Sequence, residues 1–212
     1  LTITNGTLNF NVTGPTSGIH QIHGNILVSA GGVLNFSPGS AGTVTLNGTA
    51  SQSISGSGPI TGSTNSTIEI ANSNGVDLNT NVTINGQVKL TNGLLSLGSG
   101  NLVLGTAATI TGTPSATAMI VATSTGQLQK GFATGFTGSF LYPVGDNTGT
   151  PEYSPVTLNF ASGTFASGNY AGVNLVNAKY PTDPNTGSYL KRYWNLTQNG
   201  ITGFSCTPTF QY

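Results

Sequence analysis

Charge is what this sequence has least of. Lysine plus arginine number 5 and aspartate plus glutamate 5 in 212 residues, so charged residues are 5% of the chain, against a usual share of about 25%. The formal net charge is zero. No basic stripe exists to neutralise phosphates, which excludes nucleic-acid binding. There is one cysteine, Cys206, so no disulfide forms within the chain, though a partner beyond Tyr212 is left open. No apolar run approaches the roughly 18 residues needed to span a membrane. No signal peptide is visible. The first residue is Leu1 rather than Met, and the last three, Phe210-Gln211-Tyr212, read as the interior of a strand. The expectation is an excerpt of a longer protein.

A chain without charge needs other groups to hold water, and here Thr, Ser, Asn and Gly do so. Glycine reaches 31 residues, which makes turns with positive φ easy to form. Low charge alone suggests disorder, but regular pairs of Val, Ile and Leu give the chain something to bury.

Those pairs set the architecture. In Val82 to Ile110, Val82 and Ile84 flank Thr83, Val88 and Leu90 flank Lys89, Leu95 and Leu97 flank Ser96, and Leu102 and Leu104 flank Val103. Period-two alternation puts each pair on one face of a strand. Gly- and Asn-bearing turns follow each run, too often for helices. Three runs make a coil of about 20 residues, within the range of repeat architectures. The reading is all-β: a parallel β-solenoid (β-helix) with about three short strands per coil, over residues 1–125.

The same idiom begins at Leu1 and Ile3, then Leu8 and Phe10. After a loop at Gly14 to Gly18, Ile26 with Val28, Val33, Leu34 and Phe36 continue it. A turn at Ser37 to Ser40 precedes Val44 with Leu46, Ile54, Ile60, Ile68 with Ile70, and Val76 with Leu78. The weakly apolar Gly56 to Ser66 predicts a looser corner or bulged loop. Glu69 and Lys89 each sit between two inward residues and lie one coil apart, so they are expected to stack as outward neighbours.

Near residue 126 the composition changes. All seven tyrosines and Trp194 follow it. Longer strands are predicted over Gly138 to Val144, Ser154 to Phe160, Tyr170 to Val176 and Tyr189 to Thr197. Alternating aromatics with loops between them predict an antiparallel β-sandwich-like domain over 126–212, truncated at its C-terminus. It would cap the solenoid, whose open end otherwise exposes unpaired strand edges.

Two segments of this region, FLYPVGDNTGTPEYSPVTLNF (Phe140 to Phe160) and YPTDPNTGSYLKRYWNLT (Tyr180 to Thr197), carry a family resemblance. The chain resembles secreted surface or adhesin-like proteins of Bacteroidota, in which β-helical repeats run into a β-sandwich with a PVG…YSPV pattern and an RYW strand. The resemblance implies an extracellular or cell-surface location and export by the type IX secretion route. The C-terminal sorting domain of such cargo is absent, as an excerpt implies.

Candidate sites are few. His20 and His23 have no cysteine or carboxylate near in sequence, and polar surface histidines are the preferred reading over a metal site. Asp146 and Glu152 bracket the oxygen-rich loop DNTGTPE, and Asp183 is a candidate to add another oxygen ligand. Calcium takes six to eight oxygens, but ordinary loop capping is favoured. Glycoside hydrolysis needs two carboxylates across a cleft; Glu69 and Asp77 are expected on different faces, and Lys89 alone does not make a lyase. No G-x-S-x-G elbow is present. Thr-x-Thr at Thr2/Thr4, Thr43/Thr45, Thr109/Thr111 and Thr123/Thr125 is too uneven for an ice-binding ladder and fits strand propensity. Asn-x-Ser/Thr at Asn5, Asn47 and Asn195 is expected by chance. Tyr189, Tyr193 and Trp194 suggest a sugar-stacking platform, but Trp194 is better placed in the core. The expectation is no enzyme, no catalytic, cofactor or metal site, and no cofactor. The function expected is a structural or adhesive extracellular module, whose partners are copies of itself or surface polysaccharide. A β-helix protein that binds or degrades glycans with catalytic residues elsewhere, and an ice- or surface-binding solenoid, are the alternatives.

Overall fold

A computed structural model describes residues 1–10, 18–36 and 41–212. The turn at Ser37 to Ser40 and the loop before Gly18 lie outside them. The fold is all-β, with a parallel β-solenoid of about six turns.

Each coil contributes to three faces. Face one stacks the start of β1 (Thr2–Phe10), the start of β3 (Ile26–Phe36), β5 (Gln52–Gly56), β8 (Val76–Leu78), β11 (Leu95–Leu97), β14 (Ile120–Val121) and β17 (Val144–Asp146), all parallel. Face two stacks the ends of β1 and β3, then β6 (Ile60–Gly62), β9 (Val82–Ile84), β12 (Leu102–Leu104) and β15 (Leu128–Lys130). Face three is a separate five-stranded sheet of β2 (Gly18–Ile22), β4 (Gly42–Leu46), β7 (Ser66–Ala71), β10 (Gln87–Asn92) and β13 (Thr109–Gly112). β1 and β3 run across the corner, so faces one and two form a single sheet.

The apolar pairs point inward as the alternation requires. On face three, Leu46, Ile70 and Leu90 are in register and at most 1% exposed. On face one, Ile26, Ile54, Leu78 and Leu97 form a second buried column. Between rungs, strands lie about 4.8 Å apart, so each methyl group packs on its counterpart one coil away. Phe10 and Phe36 stack the same way, with ring centroids 5.9 Å apart and planes 8° from parallel.

Gly56 to Ser66 is more regular than expected. It contains the end of β5 and all of β6. Its apolar pattern is weak because Gly62 occupies an inward slot between Phe36 and Ile84. A Cβ there would lie 3.0 Å from Ile84 Cδ1, so the neighbouring coil fills the space.

The coils continue past residue 126, through β15 and β17. Then the direction reverses. β16 (Gly138–Tyr142) pairs antiparallel with the first part of β19 (Val156–Val176), and the second part of β19 pairs antiparallel with β15. β18 (Glu152–Tyr153) pairs with β17, and β20 (Tyr193–Phe210) runs antiparallel along β19. The segments Ser154 to Phe160 and Tyr170 to Val176, read from the sequence as two strands, are thus parts of one strand of 21 residues.

These strands do not establish the β-sandwich expected over 126–212, because they join the solenoid's own sheet. The β19–β20 ribbon doubles back near Gly168, Gly200 and Gly203, all at positive φ, which brings Trp194 within 4.9 Å of Phe210, ring to ring. Phe132, Phe136, Phe160 and Phe165 pack edge to face at the end of the stack.

Removing a ladder residue should cost far more than removing its outward neighbour. Leu90→Ala is expected to lower unfolding stability by about 2–5 kcal/mol. Thr83→Ala is expected to stay within about 0.5 kcal/mol. Urea denaturation followed by circular dichroism measures both.

Candidate functional site

The surface a partner meets is the outside of the coils. On face three the outward columns are Ile19, Thr43, Thr67, Gln87 and Thr109, and Gln21, Thr45, Glu69, Lys89 and Thr111. On face two, Asn9, Asn35, Thr61, Thr83, Val103 and Gln129 stack; the rows Asn9–Asn35 and Asn35–Thr61 are hydrogen-bonded at 2.9 and 2.6 Å. Asn9, Asn35 and Thr61 thus satisfy one another from rung to rung, which suits a wall with few charges. Thr111 Oγ1 on face three, by contrast, is buried without a hydrogen-bond partner among the described residues.

Glu69 and Lys89 are in register, and their side chains meet at 2.9 Å. The Glu69 carboxylate also accepts hydrogen bonds from Thr45 Oγ1 at 3.0 Å and Thr91 Oγ1 at 2.6 Å. Burial raises its pKa, but the bonds from Thr91, Lys89 and Thr45 outweigh this and hold the carboxyl below its ordinary value. With the Lys89 ammonium open to water, screening keeps the ion pair's contribution to at most about 1 kcal/mol. Asp77 lies on face one, where Ser51 Oγ donates to it at 3.4 Å. The two carboxylates therefore occupy different faces, as expected.

The Thr-x-Thr pairs do not make one array. Thr43/Thr45 and Thr109/Thr111 share columns on face three, but Glu69, Gln87 and Lys89 stand between them. Thr2 and Thr4 lie on β1, and Thr123 and Thr125 fall between β14 and β15.

His20 departs from the surface reading. It occupies the inward column of Val44, Ile68 and Val88, with its ring 5.1 Å from Phe10. His23 is exposed and makes a 3.3 Å contact with the Asn47 carbonyl. Among the described residues, no three His, Cys, Asp or Glu side chains are grouped to hold a metal ion.

The loop DNTGTPE is closed by a cation from the chain itself. Arg192 is buried and lies 3.6 Å from Asp146 Oδ2, is paired with Glu152, and donates to Ser154 Oγ at 2.7 Å. Asp146 Oδ1 accepts from the Thr148 amide at 2.7 Å and from Asn177 Nδ2 at 3.3 Å. The two carboxylates that suggested calcium thus already face a guanidinium. Asp183 instead accepts from the Asn185 amide at 2.9 Å, an ordinary turn contact.

Trp194 is partly buried against the core and donates from Nε1 to the Ser154 carbonyl at 2.9 Å. Tyr193 turns the other way, onto Tyr180, with centroids 5.1 Å apart. Tyr189 is exposed beside Lys179. The three aromatics therefore do not share one platform.

Three polar arrangements escaped the sequence reading. Gln52 sits in an inward column above Val76; its amide donates to the Ile22 and Gly24 carbonyls and accepts from the Gly48 amide and Asn72. Lys130 takes an inward slot after Leu104 and donates to the carbonyls of Gly105, Thr106 and Ala108 at 2.6–3.0 Å. Burial pushes its ammonium down to about 8. The Leu128-x-Lys130 spacing repeats Leu102-x-Leu104, so register alone carried that signal. Arg192 lies in the quoted KRYW segment, but nothing local tied it to Asp146, 46 residues away.

Compared with known proteins, the chain matches no family model, no curated protein and no solved structure.

Two pH effects follow. Glu69 has a lowered native pKa, so its contribution is present at neutral pH and is lost as pH falls through that native value, below 4.5. Glu69→Gln should flatten this part of the acid unfolding curve. Lys130 binds its proton more weakly when folded, so stability should rise as pH climbs from about 8 towards 10.5. That rise should be missing from Lys130→Met when the two urea midpoints are compared across this range.

Proposed function

We propose that this chain is a non-catalytic structural or adhesive module: a stiff stack of coils that spaces or presents a surface, closed at one end by the β19–β20 ribbon. The observation that carries this reading is the outward columns. They are neutral, in register from rung to rung, and over residues 1–125 bear only Glu69, Asp77 and Lys89 as charges. A neutral wall of Thr, Asn and Ser presents amide and hydroxyl groups, which suit copies of the same wall or a surface polysaccharide.

The location proposed is extracellular or at the cell surface, and the resemblance of Phe140 to Phe160 and Tyr180 to Thr197 to secreted Bacteroidota proteins supports it. The capping role of residues 126–212 is supported by β19, which covers the open edge of β15, and by the phenylalanine cluster behind it.

The test is binding without turnover. Immobilised protein should retain polysaccharide or its own soluble copies, and retention should change little between low and high salt, because few charges are involved. No reducing ends or unsaturated products should be released, and Glu69→Gln and Asp77→Asn should leave retention unchanged. Product release that either substitution abolishes would overturn the proposal.

A further inference from the structure

β20 is held unlike the strands of the coils. Of its 18 residues only Ile201 is buried. One edge pairs with β19; among the described residues, no strand pairs with the other. The β19–β20 ladder is itself broken by irregularities between Phe160 and Ser162, Ser162 and Thr164, and Phe165 and Tyr170. Leu196, Phe204 and Phe210 are each more than 40% exposed. Few buried side chains and a ladder open to water define a segment of low local stability.

β19 is anchored differently. It pairs with β15 and β16, and Val156, Leu158, Phe160, Val173 and Leu175 are buried. An apolar cleft of ≈ 230 Å³ in the folded ribbon is lined by Leu158, Phe160 and Ala171 from β19 and by Leu196, Phe204 and Cys206 from β20.

At its start β20 is fastened by the Trp194 Nε1 bond to the Ser154 carbonyl and, just before the strand, by Arg192. Its guanidinium joins Asp146, Glu152 and Ser154 on the β17–β18 side, and its other face lies 4.9 Å from the Tyr212 ring. The Lys191 amide donates to the Tyr212 hydroxyl at 3.3 Å. Both ends of β20 therefore meet at one buried cation. Removing one member of such a pair leaves a buried charge uncompensated.

We propose that β20 is a releasable strand, which leaves β19 as one unit with Arg192 as its latch while the coils stay folded. Release frees the second edge of β19 and uncovers the apolar face of Leu158, Phe160 and Ala171. The segment 177–192, which contains no strand, is long enough to let β20 swing away without disturbing β19.

The chain carries its own reporters, because its one tryptophan and its one cysteine, Trp194 and Cys206, both lie on β20. In a urea series at fixed pH, thiol labelling of Cys206 should accelerate and Trp194 emission should shift to the red at lower urea than the main loss of β circular dichroism. Arg192→Met should raise the Cys206 labelling rate without denaturant at least tenfold while leaving the main transition in place. Glu152→Gln, which keeps Arg192 and Asp146, should raise it less. One coincident transition for all three signals would overturn the proposal. So would a labelling rate unchanged in Arg192→Met, or loss of the coils together with β20 in that variant. Should Arg192→Met not accumulate as folded protein, the wild-type urea series and Glu152→Gln decide.

Discussion

Everything in this molecule depends on residues one coil apart standing directly over one another. A parallel strand pair fixes the spacing at about 4.8 Å. At that distance an inward side chain has no neighbour of its own choosing; it packs on whatever the next coil places there. Leu46, Ile70 and Leu90 satisfy the constraint with similar apolar groups. Gly62 satisfies it by leaving space that Ile84 fills. Gln52 satisfies it by bonding all of its amide to backbone and to Asn72. The same constraint rules the outside, where Glu69 meets Lys89 and Asn35 meets Asn9 and Thr61.

The coils were legible because their rule is local. An apolar–x–apolar run followed by a turn determines which side chains point in, and the coil length then determines which meet. The outward stacking of Glu69 on Lys89 follows from those two facts. The rule also has blind spots. Gly56 to Ser66 looked loose because a missing apolar residue is indistinguishable from a missing strand until the neighbouring coil is known. His20 looked like a surface residue because an imidazole in an inward slot breaks the apolar pattern.

The C-terminal part was less legible for a physical reason. Aromatic alternation predicted antiparallel strands, and β16, β19 and β20 supply them. It carried no information on which strands share a sheet, since that is decided by pairings such as Leu128 of β15 with Val173 of β19, 45 residues apart. The buried Arg192 was invisible for the same reason: its partners, Asp146, Glu152 and Ser154, are 38 to 46 residues earlier. Low charge links both halves to the function proposed. A wall with three charged residues over its first 125 positions offers mainly shape and hydroxyl groups to a partner.

The most direct test of the stacking is a disulfide placed across two coils. With Cys206→Ser as background, Glu69→Cys and Lys89→Cys put two thiols on in-register neighbours, within the Cα separation a disulfide accepts. Mild oxidation of the folded protein should close this bridge readily. Pairing Glu69→Cys with Val88→Cys, whose side chain points inward, should close it far more slowly. Equal rates for the two pairs, or no bridge between 69 and 89, would contradict the rung register on which the account stands.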